Sequence, residues 1–279
     1  MSYDLMFVGE PGRKIQKKAF RAYFQDRPNY QAGKGQAIYQ NEDTGVYFMF
    51  DEPEDGMVAF NLNYFRPHVF GLEAAPELEQ FAGAFGAAVA DPQGEMEEAG
   101  AFSREAFLRG WNAGNAFAYR AMLKDQTEPI HAWPSERIQQ VWEWNYARRA
   151  QQAQWGEDVF VPAVFPVEME GELLSVAIWP PNCPILLPAV DAVLVPVTPE
   201  APENEDLALA RWDELSRIVI PYRIELAGVG LAAYRLAFPE WPAEIAAFLG
   251  SSRTKVEHLT GIGLDEVLDR ELVEQASRS

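Results

Sequence analysis

Acidic side chains are the most numerous chemically active groups in this sequence, and two short segments concentrate them. The two clusters are Asp51, Glu52, Glu54 and Asp55, and Glu95, Glu97 and Glu98. The first lacks the Asp-x-Asp-x-Asp-Gly order and the terminal glutamate of a calcium-binding loop. Acid–base catalysis requires two carboxylates held across a cleft with separated pKa values, and spacing along the chain does not establish that arrangement. We therefore predict solvated turns and no catalytic carboxylate.

Metal and nucleophile chemistry has few candidate residues. The chain contains one cysteine, Cys183, and three histidines, His68, His131 and His258, which are far apart in the sequence. A zinc site requires Cys and His at short, paired spacings, and the sequence has none. Cys183 has no histidine base near it in the sequence, so we predict a small buried or half-buried side chain. We predict no catalytic, metal-binding or cofactor-binding residue, and no cofactor.

One glycine pattern superficially matches a nucleotide-binding fingerprint. Gly228, Gly230 and Ala233 follow the Gly-x-Gly-x-x-Ala spacing after a predicted strand. The chain ends at residue 279, which leaves too little sequence for the βαβ repeats that complete such a site. The pattern therefore favours a strand break or a tight turn.

The charge of the chain limits its possible partners. It has 42 Asp and Glu residues against 23 Lys and Arg residues, a formal net charge of −19. Nucleic acids and anionic membranes bind mainly to cationic side chains, so this balance argues against both as partners. With 48% hydrophobic residues, the chain is too apolar to be a disordered acidic protein. A cationic protein is the partner class that the charge favours.

The acidity lies mainly in the second half of the chain. Residues 1–150 contain 15 basic and 21 acidic residues, whereas residues 151–279 contain 8 basic and 21 acidic residues. We therefore predict that a cationic partner docks on the second half. The candidate partner-binding residues are its densest acidic run, Glu200, Glu203, Glu205, Asp206, Asp213 and Glu214.

Hydrophobic periodicity predicts an amino-terminal domain over residues 1–126, with the order β-α-β-β-β-α-α. The predicted strands are Tyr3–Phe7, Gln36–Gln40, Val46–Phe50 and Met57–Asn63, and the predicted helices are Lys14–Asp26, Ala74–Ala90 and Ser103–Lys124. In the last helix, Gly110, Gly114 and Ala118 recur at every fourth position, which predicts close packing against another helix. The strands should form an antiparallel sheet covered by helices on one face.

A connector and a long helix are predicted over residues 127–156. The helix should run from Ser135 to Trp155. Trp142, Trp144 and Tyr146 cannot all lie on one helical face. The helix is therefore either buried on two sides or keeps one side for a partner, and we favour a buried connecting helix.

Residues 157–279 are predicted to form an acidic α+β domain. The predicted strands are Val159–Met169, Leu173–Trp179, Ile185–Leu187, Ala192–Val197 and Ile218–Leu226, and the predicted helices are Asp206–Ser216, Pro239–Leu249 and Asp265–Gln275. The fold class is therefore α+β: an amino-terminal antiparallel sheet covered by helices, a long connecting helix and a second mixed α/β part. Trp179 and Trp241 stand beside prolines, where we favour core positions over interface anchors.

The amino-terminal residues predict no secretory signal. The first residues read as a strand, without the basic region and apolar run of a secretory signal. The weakly polar stretch Pro184–Val197 is shorter than the ~20 apolar residues that span a bilayer. We therefore expect a cytoplasmic protein.

Several segments resemble a known class of bacterial proteins. The opening Met1–Phe7 and the later Glu42–Phe50 are similar to uncharacterised bacterial proteins encoded near polymorphic-toxin genes. A second recurring piece of such proteins is similar to Asp158–Pro162, Ala177–Pro180 and Leu187–Asp191. The likeness covers about half of the chain. It implies an immunity-type, toxin-neutralising role and supplies no catalytic residue.

The charge, the missing catalytic motifs and this resemblance together favour a cytoplasmic protein-binding protein of the immunity type. We expect it to neutralise a cognate, basic bacterial toxin by occluding the active site of the toxin. The alternative is a carboxylate-based or metal-assisted hydrolase whose acidic residues meet only in the fold. A third possibility is an adaptor or chaperone for a secreted effector. The oligomeric state is left open.

Overall fold

The computed structural model describes residues 1–9, 14–93, 99–127, 129–180, 183–196, 206–226, 233–236, 241–255 and 259–278. The chain divides into two units. The first comprises Met1–Ser135 together with Leu268–Ser279, and the second comprises Glu136–Val267. Both units combine helices with antiparallel strand pairs, so the predicted α+β class is confirmed.

The first unit is built on an antiparallel sheet. Its strands are β1 (Ser2–Val8), β2 (Tyr30–Ala32), β3 (Gln36–Gln40), β4 (Tyr47–Asp51), β5 (Met57–Asn63) and β6 (Ala88–Ala90). They lie in the order β2-β3-β4-β5-β1-β6. Each adjacent pair runs antiparallel, and β1 aligns Tyr3 with Leu62 and Phe7 with Val58 of β5.

Alternation along the strands places the large apolar side chains on one face of this sheet. In β1, Leu5 and Phe7 are fully buried, whereas Met6 between them is half-buried. The helices that cover the buried face are α1 (Lys17–Phe24), α2 (Val69–Phe85) and α3 (Arg104–Met122). The ring pairs that join them to the sheet are Phe24–Phe50 (5.2 Å), Phe81–Phe7 (4.9 Å) and Phe107–Tyr3 (5.8 Å). The predicted sheet with helices on one face is confirmed.

Helix α2 differs at both ends from the predicted helix Ala74–Ala90. It begins at Val69 and ends at Phe85, and Gly86 follows it with a left-handed φ of 57°. Glycine adopts this conformation without a steric penalty and so ends the helix. Residues 88–90 then pair with β1, because strand pairing outweighs the helical periodicity of this stretch.

Helix α3 begins at Arg104, and Ser103 caps it as predicted: its hydroxyl accepts a hydrogen bond from the N–H of Ala106 at 3.2 Å. Gly110 and Gly114 of this helix lie against the rings of Tyr3 and Tyr64. The sequence predicts a second helix at these small positions, whereas the structure places two tyrosine side chains there.

Helix α4 (Ser135–Trp155) leads into the second unit. Trp144 is buried and its indole donates to the carbonyl of Pro162 at 2.9 Å. Asn145 donates to the carbonyl of Val164 at 2.7 Å and accepts from its N–H at 2.9 Å. Tyr146 is 48% exposed. The predicted long helix over Ser135–Trp155 is confirmed, and these hydrogen bonds attach it to the second unit.

The second unit contains a mixed sheet and a smaller antiparallel one. The strands of the mixed sheet are β8 (Val164–Met169), β9 (Glu172–Ile178), β11 (Ala192–Pro196), β12 (Asp206–Arg211), β15 (Arg253–Lys255) and β16 (Thr260–Gly261), in the order β15-β12-β11-β9-β8-β16. Strands β9 and β11 are parallel and the other pairs are antiparallel. The smaller sheet contains β10 (Ile185–Pro188), β14 (Ala233–Leu236) and β13 (Arg223–Leu226). The predicted second mixed part is confirmed.

One predicted helix of this unit begins as a strand. The predicted helix Asp206–Ser216 begins as strand β12, which pairs with β11 on one side and β15 on the other. Pairing on both sides buries Ala208 and Ala210 and outweighs their helix propensity.

The remaining helices of the unit are α5 (Trp212–Val219) and α6 (Ala243–Ser251). Within the described ranges, every helix is too short or too polar to cross a bilayer.

The carboxyl-terminal segment belongs to the first unit. Strand β17 (Leu268–Asp269) pairs in parallel with β7 (Ala132–Trp133), and α7 (Arg270–Ser277) follows it. Glu271 accepts hydrogen bonds from the hydroxyl and the N–H of Ser135 at 2.6 and 3.0 Å. The hydroxyl bond holds the pKa of Glu271 below its usual value. The sequence instead places residues 268–279 in a domain over residues 157–279. No local pattern in this segment indicates that it pairs with β7.

Candidate functional site

The face of the first sheet that lies opposite its helices is the open face. Strand alternation places the following side chains on it: Ser2, Asp4, Met6, Val8, Gln36, Ile38, Gln40, Tyr47, Met49, Asp51, Met57, Ala59, Asn61, Asn63, Ala88 and Ala90. Cross-strand pairing arranges them in rows, including Ile38–Met49–Asn61–Asp4 and Ala59–Met6–Ala90. Met57 is 40% exposed, Gln40 and Asn63 are also exposed, and the others are half-buried. The open face therefore carries apolar and polar side chains in similar numbers.

A cavity lies at one end of the open face. Its volume is about 210 Å³, and its lining comprises Met6, Met57 and Ala59 with Asp51, Glu52, Glu54 and Asp55. The sequence predicts a solvated turn at this acidic cluster. The structure places the four acidic residues of the turn beside an apolar wall, so the cavity combines apolar surface with negative charge.

Two carboxylates of this cavity differ in their partners. Glu52 accepts a hydrogen bond from Arg21 at 2.5 Å and pairs with Lys17 at 3.1 Å, so its pKa is lowered. Among the described residues, the carboxylate of Asp51 has no hydrogen-bond or ion-pair partner. Burial raises the pKa of Asp51, and the negative charge of Asp4 raises it further. Asp51 therefore lacks the counter-ion that Glu52 has.

The other end of the open face carries a tyrosine and an arginine. Arg66 donates from Nε and Nη2 to the hydroxyl of Tyr47 at 3.0 and 2.6 Å. Its guanidinium lies 5.5 Å from the centre of the Tyr47 ring. The described residues give Arg66 hydroxyl and carbonyl partners and no carboxylate. One end of the open face is thus acidic and the other is cationic.

The loop that carries Arg66 is held in an uncommon conformation. Phe65 has a φ of 61°, which is rare for an aromatic residue. Buried Asn115 of α3 accepts from the N–H of Phe65 at 2.7 Å and donates to the carbonyl of Arg66 at 2.8 Å. Tyr119 of the same helix donates to that carbonyl at 3.2 Å. These bonds fix the loop that runs from Phe65 to His68.

His68 at the end of this loop forms a pair with Asp269. The Nδ1 atom of His68 lies 2.6 Å from Oδ1 of Asp269, and the backbone N–H of His68 donates to Oδ2 at 2.8 Å. The side chain of Asp269 is 1% exposed and that of His68 is 22% exposed. The sequence gives no sign of this pair, because its members are 201 residues apart.

The turn between β3 and β4, at Asn41–Gly45, has a structural role. Glu73 of α2 is 1% exposed, and its Oε1 atom accepts from Tyr39, Asn41 and Thr44 at 2.7, 2.7 and 3.1 Å. Asn41 also accepts from the N–H of Asp43 at 3.1 Å. A buried carboxylate with several donors anchors the β3–β4 turn to α2. This turn therefore supports the fold.

Two of the six predicted partner-binding residues can be placed with their side chains. Asp213 and Glu214 are exposed in the first turn of α5, where the helix dipole stabilises negative charge. Asp206 begins β12, and its side chain is not described. Glu200, Glu203 and Glu205 lie outside the described residues. The structure therefore brings together only a small part of this predicted surface.

The remaining candidate residues have structural positions or lie outside the described residues. Cys183 is half-buried, and its carbonyl accepts from the indole of Trp179 at 3.2 Å. Trp179 is buried, as predicted, and packs against Trp241 at 5.5 Å, whereas Trp241 is half-buried. The cluster Glu95–Glu98, the Gly228–Gly230 pattern and His258 lie outside the described residues. In the described part of the chain, no three metal-binding side chains come together.

No protein-family model, curated protein or solved structure matches this chain. Because a fold by itself does not define a function, the function has to be argued from the chemistry of specific residues. The open face and the His68–Asp269 pair are two features of the described structure that bring polar side chains together.

Proposed function

We propose that this protein is an immunity-type binding protein that neutralises a cognate, basic bacterial toxin by occluding the active site of the toxin. The observation that carries the proposal is the open face of the first sheet, where apolar side chains adjoin the acidic cavity at Asp51. The open face is a second candidate docking surface, separate from the acidic run that the sequence predicts in the second half of the chain.

The apolar part of the open face is suited to protein recognition. Met6, Met49 and Met57 are unbranched and polarisable, and such side chains adapt to the shape of a partner. A protein interface of this kind has an apolar centre and a polar rim. The carboxylates at one end and Arg66 at the other end supply polar groups at the edges of the surface.

The acidic cavity selects a cationic group on the partner. A lysine or arginine side chain would lay its aliphatic stem along Met6 and Met57 and place its charged end near Asp51. The partner would supply the counter-ion that Asp51 lacks within the described residues. The net charge of −19 also attracts a basic partner over longer distances and speeds association.

The end of the open face that carries Tyr47 and Arg66 adds specificity to the proposed binding. Tyrosine and arginine are the residue types that most often dominate binding energy at interfaces, together with tryptophan. Arg66 and Tyr47 are held against each other by two hydrogen bonds, so they lose little side-chain entropy on binding.

The experiment begins with the tagged protein as bait in a lysate of the organism that encodes it, at low and at moderate salt. The stoichiometric partner is then purified, and its toxicity is measured in cells with and without this protein. We expect a basic partner whose toxicity disappears on co-expression. The variant Asp51→Lys should weaken binding at least about tenfold, ~1.4 kcal/mol, whereas Glu79→Lys on the exposed side of α2 should not.

Three outcomes contradict the proposal. A partner whose toxicity persists in the complex indicates an effector adaptor. A partner that binds Asp51→Lys and wild type equally, but loses affinity for Asp213→Lys/Glu214→Lys, docks on the second unit instead of the open face. The absence of any stoichiometric partner at both salt concentrations removes the basis for an immunity role.

A further inference from the structure

A second cavity of the first unit lies between α1 and the hairpin formed by β2 and β3. Its volume is about 380 Å³, and its lining comprises Arg21 and Gln25 of α1 with Ala32, Gly33 and Lys34 of the hairpin. None of these five residues belongs to the open face. Small-molecule sites have volumes of about 300–1,000 Å³, so this cavity is large enough for a small organic ligand.

The lining of this cavity is cationic. Arg21 and Lys34 carry positive charges, and no acidic residue is among the described residues that line it. Arg21 and Gln25 are four residues apart, so they lie on the same face of α1. A Cβ atom added at Gly33 would meet no atom within 4 Å, so the hairpin leaves open space here. The cavity therefore offers positive charge and hydrogen-bond donors to a ligand.

Most donors of the cavity are available to a ligand. Arg21 donates to Glu52 from Nε at 2.5 Å, and its two Nη atoms have no hydrogen-bond partner among the described residues. Lys34 is exposed, and its Nζ atom has no partner in the same part of the chain. Guanidinium N–H groups bind two oxygens of one anion in parallel, which makes arginine a frequent ligand of oxyanions.

Glu52 positions both walls of the cavity. Its carboxylate binds Arg21 of α1, and its backbone N–H donates to the carbonyl of Gly35 in the hairpin at 2.8 Å. Gly35 has a φ of 100°, a conformation that glycine adopts without a steric penalty. Lys34 immediately precedes this anchored residue. The two walls are thus fixed before a ligand arrives, which lowers the entropy cost of binding.

The charges of the lining side chains and their ion-pair partners match a dianion. Lys17 lies 3.1 Å from the second carboxylate oxygen of Glu52. The three cations Lys17, Arg21 and Lys34 and the single carboxylate therefore leave a local charge of +2. A phosphate monoester carries about −1.5 to −2 at neutral pH, whereas a carboxylate ligand carries half of that charge. The net charge of −19 repels long polyanions, so a small ligand is favoured over nucleic acid.

We propose that this cavity binds the phosphate group of a small phosphate monoester. Arg21 donates to the phosphate oxygens from its Nη atoms, Lys34 from Nζ and Gln25 from its amide. Ala32 supplies the only apolar side chain of the described lining, so the organic part of the ligand is polar, as in a phosphorylated polyol. This binding is independent of docking at the open face.

The test is a titration of the nitrogen-15-labelled full chain with glycerol 3-phosphate at pH 7.5 and low salt. We expect saturable NMR shifts of the amides of Gly33 and Lys34, with a dissociation constant of about 1 mM or below. Inorganic phosphate should shift the same amides, whereas neutral glycerol and monoanionic acetate at equal concentration should not. At pH 5 the affinity should fall, because the ester loses its second charge near a pKa of about 6.

Variants locate the site. Lys34→Gln removes a lining cation without breaking any described ion pair and should weaken binding at least about fivefold. The matched control Lys18→Gln removes an exposed charge of α1 outside the lining and should change the affinity less than about twofold. Urea midpoints equal to that of the wild type show that both variants fold.

Four results would overturn the proposal. The first is a titration without shifts at Gly33 and Lys34, and the second is equal affinity of Lys34→Gln and the wild type. The third is acetate binding as tightly as the ester, which indicates an unspecific counter-ion. The fourth is binding of inorganic phosphate without binding of glycerol 3-phosphate, which restricts the cavity to the free ion.

Discussion

At the scale of single residues, burial and hydrogen bonding distinguish carboxylates that support the fold from carboxylates on the surface. Glu73 accepts three side-chain hydrogen bonds, whereas Glu79 on the same helix is exposed. The sequence predicts a turn at Asn41–Gly45. That its Asn41 and Thr44 bind Glu73 depends on α2 packing against the sheet, which no local pattern specifies.

Glu73→Ala should destabilise the protein by about 3 kcal/mol. The substitution leaves the buried donors of Tyr39, Asn41 and Thr44 without their acceptor, and each unsatisfied group loses its solvation without compensation. The free energy of unfolding is measured with urea. Glu79→Ala on the same helix should change it by less than about 0.5 kcal/mol. Equal effects of the two substitutions would show that the Glu73 network does not stabilise the fold.

At the scale of elements, partners decide where helices and strands begin and end. The period-2 pattern of β1 is sufficient to predict a strand with one buried face, because both the alternation and the burial are local properties. Residues 88–90 and 206–211 carry helical patterns, yet they pair as β6 and β12. Their strand conformation depends on neighbours that are distant in the sequence, and so periodicity alone did not reveal it.

The small residues of α3 provide a prediction at this scale. A Cβ atom added at Gly110 would lie 2.5 Å from the hydroxyl of Tyr3 and 3.3 Å from Oδ2 of Asp91. Tyr3 donates a hydrogen bond to Asp91, and both side chains are buried. Gly110→Ala should therefore cost about 1–3 kcal/mol of stability, because the buried pair has to move.

Gly83→Ala in α2 is the matched control, because an added Cβ meets no atom within 4 Å there. Alanine has the higher helix propensity, so this variant should gain roughly 0.5–1 kcal/mol. Both free energies are measured by chemical denaturation. If Gly110→Ala is as stable as Gly83→Ala, the close approach of α3 to Tyr3 is absent in solution.

At the scale of the whole molecule, the second unit is an insertion within the first. The chain leaves the first unit after Ser135 and returns at Leu268, and Leu268 pairs directly with Ala132. Glu271 binds the residue at the exit point, Ser135. The exit and the return are therefore close together, which is the arrangement that permits one domain to interrupt another.

Replacing residues 136–267 with a linker of about five glycine and serine residues should leave a folded first unit. Adjacent strands lie ~4.8 Å apart, so a short linker spans from Ser135 to Leu268. We expect a cooperative thermal transition, measured by circular dichroism, and an intact His68–Asp269 pair, measured by NMR. The same chain without residues 268–279 should be less stable, since it lacks β17 and α7. The absence of a cooperative transition in the linked chain would contradict the division into two units.

The sequence by itself determined the α+β class, the antiparallel first sheet and the acidic character of the molecule. These properties follow from composition and from patterns with a period of two or of 3.6 residues, which are local. The tertiary structure alone decided that Asp269 reaches His68, that the carboxyl-terminal segment returns to β7, and that the acidic turn at Asp51 adjoins two methionines. Each of these is a contact between distant segments, and its energy depends on burial that exists only after the chain has folded.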